Sequence, residues 1–101
     1  MMTQREVKIT DAALFDLFDL DYTIRQVYQA PLTAARYVTG LKKQIKGLSK
    51  VADLRVVQEE LSVEYEKEIR RENYKEMAIL FSIEEDEKVY VHRIIPQKLV
   101  K

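Results

Sequence analysis

The chain has 101 residues, 47% of them hydrophobic, with two Gly, two Pro and no Cys. That is room for one ordinary globular domain and one core, and it excludes a disulfide framework, a thiolate nucleophile and a cysteine-based zinc site. Net charge is zero but unevenly spread: −3 over residues 1–24, +6 over 25–55 and −3 over 56–101. The basic excess is confined to one segment, which argues against strong nonspecific binding to nucleic acid.

The N-terminal stretch Met1 to Glu6 reaches charge at once and has no apolar core, so it does not read as a signal peptide. No apolar run approaches the length of a membrane span. The expected address is the cytoplasm, with no membrane partner. Val7-Lys8-Ile9 alternates apolar and polar residues and predicts a short strand. Thr10 or Asp11 can cap a following helix through a side-chain oxygen. Ala13, Leu17, Leu20, Ile24 and Val27 recur at spacings of four and three, predicting a helix over residues 11–28. Leu14, Phe18 and Tyr28 widen its apolar stripe and predict broad burial.

Pro31 suits the first turn of a second helix, where its missing N–H is not needed. Ala34, Val38, Leu41, Ile45 and Leu48 repeat the helical spacing to about residue 50. Arg36, Lys42, Lys43, Lys46 and Lys50 form its outer face. The short connection folds the two helices into an antiparallel pair, with weak ion pairing between an acidic first and a basic second helix. Gly40 falls mid-helix, which costs about 1 kcal/mol relative to Ala, and a close approach by the first helix or the sheet would account for it.

Residues 51–67 fit neither period and predict a strand fragment or short helix between loops. Three strands follow. Ile69 to Tyr74 is polar and belongs near an edge, whereas Met77 to Ile83 is nearly continuous in apolar residues and suits a central position. Val89 to Ile95 is the last, stopped by Pro96. Glu84 to Lys88 is a hairpin turn whose consecutive carboxylates do not converge as metal ligands. No cofactor or metal is expected. The fold class is α+β, in the order β-α-α-β-β-β: one domain over residues 1–101, an antiparallel sheet with a helix pair on one face.

That order, with Val7 to Ala13, Pro31 to Tyr37, Ile69 to Lys75 and the stretches Ile79–Ile83 and Val89–Ile95, resembles the RelE/ParE toxins of type II toxin–antitoxin modules, bacterial proteins often labelled plasmid stabilisation proteins. The resemblance spans the chain outside residues 51–67. It implies a toxin held silent by a cognate antitoxin protein, as a hetero-oligomer or a homodimer. It also implies one of two targets: the ribosome and its messenger RNA, cut by RelE-like members, or DNA gyrase, bound by ParE-like members. RNA cleavage needs a base for the ribose 2′-hydroxyl and cations for the phosphorane. Here those would come from Arg70, Arg71, Lys75, His92 and Arg93. The match departs from the nuclease pattern at Ala78, where nucleases commonly carry an arginine, and in a C-terminal tail without Tyr or His. A non-nucleolytic, ParE-like toxin is therefore expected, with Arg71, Tyr74, Lys75, Arg93 and Lys98 as candidate contacts for target or antitoxin; the alternatives are a RelE-like nuclease and a degenerate family member that kept the fold and lost the activity.

Each candidate also has a structural reading. Arg93 shares a face with Val89, Val91 and Ile95 by simple alternation, and either contacts a partner or pairs with a glutamate such as Glu72. His92, on the other face with Tyr90 and Ile94, is a general base or an ordinary strand histidine. Arg70, Arg71 and Lys75 form a basic cluster interleaved with Glu68, Glu72 and Glu76. Tyr74 stacks on a base or lies half-buried against a helix. Lys42, Lys43 and Lys46 are a solvated face or an antitoxin contact.

Overall fold

A computed structural model describes residues 4–100. Strand β1 (Val7–Ile9) leads through Thr10 into helix α1 (Asp11–Tyr22). The Thr10 hydroxyl accepts from the Ala13 N–H at 3.2 Å and donates to the Val91 carbonyl at 2.9 Å, so one side chain caps the helix and ties it to the last strand. The α-helix ends earlier than the 11–28 span read from the stripe. Thr23–Val27 forms a π-helical turn, and Gln29 has φ 53°, breaking the helix before α2 (Pro31–Val51) begins with proline in its first turn.

A 3₁₀ turn (Ala52–Leu54), an isolated bridge between Val57 and Arg70, and helix α3 (Glu59–Tyr65) fill the segment that followed neither period. Strands β2 (Arg70–Tyr74), β3 (Met77–Ile83) and β4 (Val89–Pro96) complete the chain with a short C-terminal 3₁₀ turn. The sheet order is β1-β4-β3-β2. β2, β3 and β4 are antiparallel as expected, β2 at an edge and β3 central; β1 joins parallel to β4, so the sheet is mixed. β4 ends at Pro96, opposite Met77, one residue beyond the span read from the sequence.

The α1–α2 pair covers one face, burying Ala13, Leu17, Leu41, Ile45 and Leu48 against Ile79, Phe81, Val89, Val91 and Ile94. A smaller cluster on the other face holds Ile69, Ala78 and Leu80, with Leu61 and Tyr65 of α3 packed on it. β3 is thus buried on both sides from Met77 to Ser82, which its continuous apolar run required. Gly40 is explained by the sheet: a Cβ there would lie 2.0 Å from the Tyr74 hydroxyl.

Two expectations about the helix pair fail. Leu14, Phe18 and Tyr28 are 40, 65 and 72% exposed, so they do not broaden the buried face of α1. Among the described residues no ion pair joins α1 to α2; Asp21 pairs with Arg25 one turn on, and Asp16 pairs with the sheet. The helices meet through apolar residues, and apart from Asp16 their charges lie toward solvent.

Candidate functional site

The face assignment in β4 turns on a bulge. Leu80 pairs with Arg93 and Phe81 with Val91, leaving His92 as the extra residue. Alternation restarts there, so Ile94 joins Val89 and Val91 under the helices, while Arg93 and Ile95 lie on the α3 side. Period-two reading puts Arg93 and Ile94 on the wrong faces for this reason.

Arg93 is held by Asp16, not by Glu72. Its Nε donates to Asp16 Oδ2 at 2.8 Å and its terminal nitrogen to Oδ1 at 3.1 Å. The Ile94 N–H also donates to Oδ2 at 2.8 Å. β1 pairs only with Val89–Val91, so the edge of β4 beyond it is open, and α1 supplies a carboxylate where a neighbouring strand would supply a carbonyl. Glu72 is buried and is met by Arg55 Nε and by Gln44 Nε2, the latter at 2.5 Å.

The remaining cations do not converge. Arg70 faces α2 and donates to the Arg55 carbonyl at 2.6 Å. Arg71 lies on the opposite face and donates to Asn73 Oδ1 at 2.8 Å and to Gln97 Oε1 at 3.2 Å. Lys75 sits in the β2–β3 turn with φ 50°, its Nζ 5.4 and 5.5 Å from the ring centres of Tyr37 and Tyr74. Those rings meet edge-on at 5.5 Å, and Tyr74 is half-buried. Burial, then the neighbouring Glu76 carboxylate, raises the Tyr37 hydroxyl to about 12. Lys98 is exposed in the C-terminal turn. Ala78 is fully buried, so its position presents nothing to a ligand.

His92 has a defined partner set. Its Nε2 lies 2.7 Å from the buried Ser82 hydroxyl, which also meets a Glu84 carboxylate oxygen. The carboxylate can only accept, so Ser82 donates to it and the ring donates its Nε2–H to Ser82. Burial, then Lys67, lowers the His92 pKa against an opposing pull from Glu84, and the ring is neutral at pH 7. The cleft beside it is lined by Lys67, Glu84, Glu85, Asp86 and Tyr90. Three carboxylates around one lysine repel a phosphate backbone.

Two other surfaces are open. Leu14, Phe18 and Tyr22 recur every four residues along the outer face of α1, flanked by Phe15; Phe15 and Tyr22 are 69 and 62% exposed. Sequence periodicity missed this face because α1 carries apolar residues on both sides. A groove of about 530 Å³ runs between β1 and α2, with Val7, Ile9 and Ile45 below a rim of Lys42, Lys43 and Lys46. Alternation in β1 and the lysine spacing in α2 were each visible in the sequence, but their meeting was not.

No protein-family model matches the sequence, and no curated protein matches it. Among solved structures, a chain of the "Chromosomal ParDE TA system from P. aeruginosa" has this fold. The TM-score is 0.72 at 18% identity, over 93% of this chain and 97% of that one. The likeness bears out, at the level of the fold, the layout that the sequence resemblance implied.

Proposed function

We propose that this chain is the toxin component of a type II toxin–antitoxin module, and that it acts by binding its target and not by cutting RNA. The observation that carries the second part is the fate of the nuclease positions. Ala78 is buried where an arginine would be needed, and Arg70, Arg71, Lys75 and Arg93 are separated and already engaged. His92 lies beside an acidic cleft unsuited to a polyanion. Phosphoryl chemistry needs a base and cations around one reacting group, and this arrangement supplies neither at one place.

The antitoxin part rests on the likeness to a ParDE chain, on the exposed apolar face of α1 and on the groove at β1. Exposed apolar surface of this kind is what an antitoxin segment laid over the toxin would cover. On this reading the cellular target is DNA gyrase, reached in the cytoplasm.

Inducible expression in a bacterial host tests the proposal, following growth, transcript integrity and plasmid supercoiling. Growth arrest with intact transcripts and altered supercoiling is expected. Arrest with cut transcripts would show that the argument from Ala78 is wrong and favour the ribosome-dependent nuclease. Unimpaired growth with abundant folded protein would refute the toxin reading.

A further inference from the structure

The two open surfaces carry opposite charge. α1 carries four aspartates and no basic residue; α2 carries Arg36, Lys42, Lys43, Lys46 and Lys50 and no acidic one. Within the fold no ion pair among the described residues joins the two helices, and Lys42 acts on Asp21 only through its field. Asp11 and Asp19 on α1, and Lys43 and Lys46 on the groove rim, are exposed and outside every ion pair among the described residues. The groove therefore suits an acidic helix with an apolar stripe, and α1 is an acidic helix whose stripe of Leu14, Phe18 and Tyr22 has no cover.

We propose that a second copy of this chain fills the groove, with α1 of each protomer lying in the β1–α2 groove of its partner. The exchange is reciprocal, so one two-fold axis fills both grooves at once. Pairing of two β1 edges is the other symmetric arrangement. Glu6 O and Thr10 N point to β4, so the backbone groups of Val7 and Ile9 point outward and could pair across such an axis. That arrangement would bring Lys8 and the lysine rims of both copies together, and like charges oppose it. Charge thus selects helix in groove over edge to edge. The inference stands apart from the toxin reading, since a chain without toxicity would associate in the same way; where an antitoxin is present, it and the second copy compete for this surface.

Sedimentation of the purified full chain over a range of concentration and salt tests it. The expected result is a dimer that weakens as salt rises. Two variants separate the surfaces, D11K/D19K on α1 and K43E/K46E on the groove, all at exposed positions. Each alone should weaken association by roughly tenfold or more, with circular dichroism and unfolding midpoint near the parent's. Mixed in equal amounts they should recover a heterodimer, because both interfaces then join opposite charges again. A dimer indifferent to both variants, or folded variants whose mixture stays monomeric, would overturn the proposal. So would a parent monomeric throughout, including one that instead takes up a synthetic acidic extended peptide at the groove.

Discussion

The two glycines of α2 should respond in opposite directions to the same substitution. In a helix interior, Gly→Ala gains about 1 kcal/mol from backbone entropy alone. At Gly47 nothing lies within 4 Å of an added Cβ, so Gly47→Ala should realise most of that gain. At Gly40 the Cβ would stand 2.0 Å from the Tyr74 hydroxyl oxygen and 2.9 Å from Cζ. Tyr74 would have to retreat by more than an ångström, giving up its edge-on contact with Tyr37 and the Lys75 cation over its ring. Aromatic and cation–π losses of about 0.5–1.5 and 0.5–1 kcal/mol, with ~1–3 kcal/mol for forced repacking, outweigh the helix gain. We expect Gly40→Ala to destabilise by about 1–4 kcal/mol and Gly47→Ala to stabilise by about 0.5–1 kcal/mol. Urea unfolding at constant m-value reads both. Tyr74→Ala supplies the decisive background, since Gly40→Ala should become stabilising once the ring is gone. A Gly40→Ala variant as stable as Gly47→Ala in the parent, or one still destabilised without Tyr74, would refute the reasoning.

Asp16→Ala should cost about 2–4 kcal/mol, mostly for stranding the Ile94 N–H, whereas Arg93→Ala should cost under about 1 kcal/mol because the guanidinium is partly exposed. Equal losses in unfolding experiments would show that the ion pair, and not the backbone contact, is the important part. Arg55→Ala should cost roughly 2 kcal/mol by leaving the buried Glu72 carboxylate with Gln44 alone, and Glu72→Gln in that background should recover part of the loss. His92 binds protons less readily folded than at its ordinary value of 6.5, so the unfolded chain takes up more protons as pH falls through 6.5 and stability should decline there. The lowered carboxylates Glu6, Asp21, Asp53 and Asp86 act in a separate, lower window: their contribution is present above their unfolded values near 4 and is lost as pH falls through the folded ones. A stability profile flat between pH 7 and 5.5, or one whose slope there survives His92→Asn, would contradict this assignment.

What could be read from the sequence was mostly local. Apolar spacing located α2 almost to the residue, and the nearly continuous apolar run from Met77 to Ile83 suited a central strand. α1 was harder, because Leu14, Phe15 and Phe18 on its outer side resemble core residues and no polar face marks the limit. The bulge at His92 could not be read from alternation, which assumes an unbroken pleat, so Arg93 and Ile94 exchanged faces. The partners of Arg93 and Glu72 required a knowledge of which elements meet: Asp16 is 77 residues from Arg93 in the chain, and no local pattern links them. Arg70, Arg71 and Lys75 read as one basic cluster in the sequence, but register divides them between two faces and a turn.

The parallel pairing of β1 with β4 also orders events in time. Val7 and Val89 are partners about 80 residues apart, and closing so long a loop is entropically slow compared with forming a helix hairpin. During synthesis α1 and α2 emerge before any strand that buries them. The nascent chain therefore carries its apolar helix faces without a sheet until β3 and β4 leave the ribosome, a window for aggregation or for capture by a chaperone. The first strand made is then among the last to find its place.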